Sequence, residues 1–136
     1  MLQAYSSDLS VAANAAFPFN NLVIDKGCAE KLTAPASIEL NKRGVYLVEV
    51  DGFGTPATAA LTSIQLFVDG VAQPQAVSLF TGIAETTNTF GFKTLVQVTT
   101  NNCNCNCCSS PTVLQVRNGD TALTGAQINI VVTKIC

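Results

Sequence analysis

Short apolar segments with an alternating pattern, separated by turn residues, run through most of the chain and constrain it to β structure. Tyr46, Val48 and Val50 share one face of a predicted strand, because successive side chains of a strand point to opposite sides. Asp69-Gly70 stands between two such segments and is the dipeptide that most favours a two-residue hairpin turn. The predicted strands lie at residues 17–24, 38–40, 45–50, 64–68, 76–80, 89–99, 113–117 and 128–135. About eight short strands with frequent turns are typical of an all-β sandwich or barrel.

The length and composition predict one domain, residues 1–136, that associates with other subunits. A chain of 136 residues is long enough to bury a core without disulfides or metals. It is 48% apolar and only 12% charged, whereas ordinary domains carry about 25% charged residues. Its 15 threonines and 11 asparagines supply much of the polar surface instead. A surface with so few charges favours extensive contact between subunits.

The distribution of charge and hydrophobicity excludes two kinds of partner. The seven Lys and Arg residues are scattered singly and the net charge is −2, whereas binding to nucleic acid needs clustered positive charge. No apolar stretch approaches the roughly 20 residues of a membrane-spanning helix. Residues 1–19 begin without Lys or Arg, and Asp8 and Asn14 interrupt them, so no secretory signal is predicted. We expect no nucleic acid partner and no membrane insertion.

Candidate catalytic residues are scarce, and we predict that the chain is not an enzyme and has no catalytic residue. It contains no histidine, which removes the usual general base for a Ser or Cys nucleophile. Glu49 and Asp51 lie two apart on one predicted strand and are candidate Ca²⁺ ligands, but solvated carboxylates are far commoner in such a pattern. Gly52-Phe53-Gly54 resembles a glycine loop, yet no lysine follows it as in a phosphate-binding loop.

Two predicted strands carry apolar side chains on both faces. Leu47 lies opposite the predicted core face of its strand, and Val131 and Ile135 do the same in the strand at 128–135. A two-layer sandwich buries one face of each sheet, so the second apolar face needs a partner. Another copy of the chain is the default partner. Leu47, Val131 and Ile135 are therefore candidate residues of a subunit interface.

Four of the six cysteines crowd into a predicted surface loop at residues 101–111: Cys103, Cys105, Cys107 and Cys108. As thiolates they are candidate ligands of a structural Zn²⁺, although the usual spacing is two Cys-x₂₋₄-Cys pairs. Disulfides are the second interpretation, and pairing with Cys28 or with a neighbouring subunit is more plausible than a strained bond between adjacent cysteines. Free thiols are the third, and Cys136 is a candidate for that state. Six cysteines allow 15 connectivities, so the sequence leaves these alternatives open.

Several short motifs follow one another in a recognisable order. They are Phe17-Pro18-Phe19-Asn20, Ile38-Glu39-Leu40, Gly44-Val45-Tyr46-Leu47-Val48, Ile64-Gln65-Leu66-Phe67-Val68-Asp69-Gly70, Leu114-Gln115-Val116, Asn118-Gly119-Asp120 and Ile128-Asn129-Ile130-Val131-Val132. Their order resembles the trimeric jelly roll of the tumour necrosis factor and complement globular-head superfamily, and most of all its bacterial spore-surface and phage versions. The resemblance implies a jelly-roll β-sandwich of two antiparallel sheets with about 8–10 strands, a homotrimer, and a binding or structural role. The chain departs from the pattern by lacking a collagen-like stalk and by carrying the cysteine-rich loop.

The implied trimer, the charge-poor surface and the missing export signal favour a structural protein of a bacteriophage virion, of the capsid decoration or head-fibre type. We expect such a protein to assemble in the host cytoplasm and to reside on the virion surface, with the major capsid protein or another coat protein as its partner. One alternative is a spore-coat or cell-surface head domain, displayed on the spore or the cell. Another is a tail-fibre tip that binds a host surface glycan.

Overall fold

The computed structural model describes residues 1–99 and 111–136 with their side chains, and between them the backbone of two short strands. These residues contain no helix, and so none that could cross a membrane. The strands are β1 Leu2–Val11, β2 Asn21–Asp25, β3 Glu30–Ala34, β4 Ser37–Leu40, β5 Gly44–Pro56, β6 Leu61–Val68, β7 Val71–Thr81, β8 Asn88–Val98, β9 Cys103–Asn104, β10 Cys107–Cys108, β11 Thr112–Asn118 and β12 Leu123–Lys134.

Ten of these strands form two five-stranded sheets in which every pair of neighbours is antiparallel. The first sheet has the order β2-β1-β12-β5-β8 and the second has the order β3-β4-β11-β6-β7. Strands that neighbour each other in space, such as β1 and β12, lie far apart in sequence, so the chain crosses repeatedly between the sheets. This connectivity is that of a jelly roll. The predicted all-β jelly-roll sandwich is confirmed. The remaining strands, β9 and β10, pair with each other.

The core lies between the two sheets and is a single hydrophobic cluster. The predicted inward face of β5, formed by Tyr46, Val48 and Val50, is buried as expected. Ile64 and Leu66 of the second sheet are fully buried in the same cluster. Because one cluster takes side chains from both sheets, the two layers stabilise each other.

The predicted hairpin at Asp69-Gly70 is present between β6 and β7, where Val68 pairs with Val71. Asp69 has φ 49° and Gly70 has φ 80°, so both residues have the positive φ that a two-residue turn of this type requires. The carboxylate of Asp69 also accepts a hydrogen bond of 2.8 Å from the backbone N–H of Val113. The turn is thereby fixed to the start of β11.

Strand β1 is absent from the sequence-based prediction because a bulge changes the phase of its alternation. Leu2 and Ala4 are buried, but the register with β12 shifts after Ser6, and the next buried residues are Leu9 and Val11. A bulge inserts one extra residue into a strand and so interrupts the period of two. β3, which is largely exposed, is a second strand that the prediction missed.

The prediction of a strand beginning at residue 17 is wrong in its first half. Phe17 and Phe19 are buried in the core, but β2 begins only at residue 21. The backbone N–H of Phe17 donates to the carbonyl of Val116, and that of Phe19 donates to the carbonyl of Pro35. The segment therefore closes one edge of the core without joining a ladder.

A buried carboxylate joins several segments at one end of the sandwich. The side chain of Glu30 is only 1% exposed and lies 2.9 Å from the α-ammonium group of Met1. Its other oxygen accepts a hydrogen bond of 2.8 Å from the backbone N–H of Lys134. Nearby, the hydroxyl of Tyr46 donates to the carbonyl of Lys42 at 2.6 Å. Burial raises the pKa of Tyr46, the bond to Lys42 opposes this, and the charge of Glu30 adds to it.

Candidate assembly interface

The solvent side of the first sheet, called the outer face below, is organised in rows of side chains that cross the strands. Directly paired residues of neighbouring strands place their side chains on the same face. The rows are Thr133–Leu47–Leu95, Gln3–Val131–Glu49–Lys93, Tyr5–Asn129–Asp51–Gly91 and Gln127–Phe53–Thr89. Apolar residues occur in each of them.

The apolar residues of the outer face keep substantial contact with solvent. Leu95 is 55% exposed, and Tyr5 and Phe53 are each 37% exposed. Leu47 and Val131, both predicted at a subunit interface, lie half-buried on this same face. Leu47 is directly opposite Leu95, so the two leucines form one apolar contact surface.

Ile135, the third predicted interface residue, follows the end of β12 and is 53% exposed. Its backbone N–H donates to the carbonyl of Val45 at 2.8 Å, which continues the pairing of β12 with β5 by one step. The structure therefore brings Ile135 to the same end of the sheet as Leu47 and Thr133. Contact of these residues with another copy stays a prediction.

Polar groups of the outer face satisfy one another within the sheet. The side-chain amide of Gln3 donates to Asn129 at 3.1 Å, and the amide of Asn129 donates to the carboxylate of Asp51 at 3.1 Å. Lys93 and Glu49 form an ion pair of 3.1 Å. Since both partners of that pair are well exposed, its contribution to stability is about 1 kcal/mol at most. Covering the outer face would therefore bury polar groups that already have partners.

An open groove of about 450 Å³ lies among these rows, with Val131 and Gly91 beside the charged groups of Glu49, Asp51 and Lys93. Gly91 creates the opening because it places no side chain in its row. A Cβ atom at this position would come within 3.0 Å of the carbonyl oxygen of Val50. The carboxylates of Glu49 and Asp51 bind Lys93 and Asn129 respectively, and so do not converge on one point. The groove has room for one or two side chains and offers no nucleophile with an adjacent base.

Three exposed apolar residues of the outer face were missed from the sequence. Leu95 lies in a predicted strand, on the face opposite to that of the buried Phe90. An apolar residue on this second face was the signal that could have identified it. Tyr5 was missed because β1 was not predicted. Phe53 was missed because the predicted strand ends at residue 50, whereas β5 continues to Pro56 and pairs Phe53 with Gln127.

The structure describes the side chains of two of the six cysteines. Cys28 is disulfide-bonded, and Cys136 is exposed with a free thiol. The side chains of the predicted zinc ligands, Cys103, Cys105, Cys107 and Cys108, lie outside the described residues. Among the side chains that are described, no three metal-binding groups come together. The zinc site and the extent of the loop at 101–111 therefore stay predictions.

Comparison with known proteins identifies the fold. No family model and no curated protein sequence matches the chain. Among solved structures, the PRD1 vertex protein P5 superposes with a TM-score of 0.66 and 22% identity over 99% of this chain and 96% of that one. The globular domain of zebrafish complement 1qA superposes with a TM-score of 0.65 and 7% identity, covering 96% and 94% of the two chains. Eiger TNF from S. frugiperda superposes with a TM-score of 0.61 and 16% identity, covering 98% and 92%. The chain therefore has the jelly-roll fold of the tumour necrosis factor and complement globular-head proteins.

Proposed function

We propose that this chain is a structural protein of a bacteriophage virion surface that assembles as a homotrimer through the outer face of the first sheet. The observation that carries the proposal is a set of partly exposed apolar side chains on one sheet face of a fold that superposes over nearly its whole length on a phage vertex protein. The function is one of binding and architecture. A chain without histidine lacks the common general base, which supports a non-enzymatic role.

The chemistry of the outer face supports association between copies. Leu47 and Leu95 form an apolar cluster at one end of the face, and the hydrogen bonds of Gln3, Asn129 and Asp51 leave few unpaired polar groups to desolvate. Burying paired polar groups costs much less than burying unpaired ones. Apolar side chains mixed with polar groups that already have partners are a common composition of a protein interface.

Contacts with the major capsid protein or another coat protein would use a different surface. Leu61 and Leu79 are strongly exposed on the second sheet, and Ile83 is exposed just beyond β7. None of the three lies in the rows of the outer face. A trimer that uses the outer face would repeat this second apolar patch three times, and repetition increases the avidity for a partner that also repeats. The capsid decoration and head-fibre roles both require such a second contact.

The decisive experiment for assembly is native mass spectrometry of the purified chain, with and without reductant and chelator. We expect a species of three times the 14.2 kDa chain mass under all four conditions. A monomer at every concentration would refute the proposed interface.

The virion setting needs a separate experiment. Where the chain is encoded by a phage, gradient-purified virions should contain it, and labelled antibody should bind their surface. Its recovery on spores or cell envelopes instead would favour the alternative of a head domain displayed there. Specific binding on a glycan array would favour the tail-fibre tip.

A further inference from the structure

We propose that Arg117, on the solvent side of the second sheet, is a preformed binding point for a carboxylate side chain of the coat protein that the chain contacts. The identity of that partner rests on the proposed function. The geometry that binds a carboxylate belongs to the chain alone and can be measured without the partner.

The guanidinium group of Arg117 is held in place by two neighbours. It stacks on the ring of Phe67, with its central carbon 4.2 Å from the ring centroid. Its Nε and Nη2 atoms both donate to the side-chain oxygen of Gln115, at 3.3 Å and 2.9 Å. The side-chain nitrogen of Gln115 donates in turn to the hydroxyl of Ser37 at 3.2 Å. Because the group is already fixed, it loses little freedom when a ligand binds.

Arg117 keeps hydrogen-bond donors that these contacts do not use. A guanidinium group has five N–H donors, and the bonds to Gln115 occupy one on Nε and one on Nη2. The two donors of Nη1 and the second donor of Nη2 remain, and together they offer the fork that a carboxylate accepts with both oxygens. Within residues 1–99 and 111–136, no carboxylate forms an ion pair with Arg117. The fork therefore suits a carboxylate from another molecule.

The charge of the surrounding face is complementary to such a ligand. On the solvent side of β3, β4, β6, β7 and β11, the charged side chains are those of Lys31, Glu39 and Arg117. Lys31 and Glu39 are directly paired between β3 and β4, so their opposite charges balance. Arg117 leaves this face with one positive charge on a chain whose net charge is −2. Complementary charge favours encounter with an acidic partner.

Apolar side chains lie beside Arg117 on the same face. Arg117 pairs with Gln65 of β6, and Gln65 pairs with Val77 of β7. Ser63 and Leu79 form the next row, and Leu79 is 64% exposed. Two strand spacings, about 9.6 Å, separate the backbone of Arg117 from that of Val77. One segment of a partner can therefore place a carboxylate on Arg117 and an apolar side chain beside it.

This composition fits a protein partner better than a glycan. The guanidinium group covers a face of the Phe67 ring, which removes a stacking surface of the kind that sugars use. The strongly exposed neighbours, Leu61 and Leu79, are aliphatic. Arginine beside apolar side chains is typical of protein interfaces, where arginine is often among the residues that contribute most to affinity.

An NMR titration of the purified chain with acetate tests the carboxylate site. The chain has two arginines, Arg43 and Arg117, so the Nε–H resonance of Arg43 is an internal control. Arg117→Lys assigns the other resonance by removing it. At constant ionic strength, acetate should shift the Arg117 resonance to saturation and leave that of Arg43 nearly unchanged. Gln115→Met, which removes the oxygen that holds the guanidinium group, should weaken acetate binding roughly tenfold. Equal shifts of both resonances, or none, would overturn the proposal.

Rebinding of the chain to virions that lack it tests the docking role. Arg117→Lys keeps the charge but loses the fork and the stacking, and should lower the affinity roughly tenfold or more. Lys31→Ala is the matched control, because it removes a positive charge from the same face. It should bind within about twofold of the wild type, since an exposed charge contributes little. Equal affinities of the wild type and Arg117→Lys would overturn the docking role.

The failure of this inference differs from the failure of the proposed function. A chain that is absent from gradient-purified virions refutes the proposed function and with it the coat partner. A chain that is present there but binds equally well as Arg117→Lys refutes only the role of Arg117. Binding to acidic sugars on a glycan array that is lost in Arg117→Lys would overturn the protein partner.

Discussion

Replacing Leu95 with serine tests whether copies of the chain meet at the outer face of the first sheet. Leu95 is 55% exposed in the single chain and lies directly opposite Leu47. Full burial of a leucine side chain is worth about 1.5–3 kcal/mol, so covering its exposed part contributes about 1.2 kcal/mol per copy and roughly 4 kcal/mol per trimer. Since about 1.4 kcal/mol corresponds to a factor of ten, the association constant of the trimer should fall roughly 400-fold.

Sedimentation velocity over a concentration series measures this effect. The concentration at which half the chains are trimeric varies as the inverse square root of the association constant, so we expect it to rise about 20-fold. Circular dichroism of the dissociated chain should be unchanged, because an exposed side chain contributes little to the fold of the monomer.

Val71→Ser provides the matched control. Val71 is 64% exposed, but it begins β7 in the second sheet, beside the hairpin turn. The substitution removes a comparable exposed apolar area and should leave the midpoint concentration unchanged. Equal midpoints for the wild type and Leu95→Ser would refute the argument, and so would equal dissociation in both variants.

Three further predictions concern the fold itself. Ile128→Ala should lower the free energy of unfolding by about 2–5 kcal/mol in chemical denaturation, because Ile128 is fully buried and its truncation leaves a cavity. Gly70→Ala should cost about 1 kcal/mol in the same assay, because Gly70 has φ 80° and a Cβ atom there meets no neighbour that could compensate. Burial raises the pKa of Tyr46, so the folded chain retains the phenolic proton above the ordinary value of 10.0 and stability should fall as pH rises beyond it. Tyr46→Phe should remove that part of the pH dependence, measured by thermal unfolding between about pH 9 and 11, while losing about 1 kcal/mol from the hydrogen bond to Lys42. An identical slope in both proteins would contradict the assignment.

Where the local pattern and the tertiary environment agree, the sequence predicted the fold correctly. Tyr46, Val48 and Val50 alternate without interruption and are buried on one side of β5. Asp69-Gly70 specifies its turn because both residues adopt the positive φ that the turn requires, and this preference is local to the two residues. β1 was not predicted, because the bulge after Ser6 shifts the alternation of buried and exposed residues by one position.

The candidate interface was predictable only in part. Leu47 and Val131 were found because an apolar residue on the wrong face of a strand is visible in the sequence. The pairing of Leu47 with Leu95 was not, because it depends on the register between β5 and β8, which are separated by an entire hairpin of the other sheet. The opening of the groove at Gly91 depends on the same register, which pairs Gly91 with Asp51.

By itself the sequence determined the class of fold, since alternating hydrophobicity and turn residues act over only a few residues at a time. It also determined that some strands are apolar on both faces. The tertiary structure alone decided which of those second faces join into one surface, because strand order and register are set by long-range pairing.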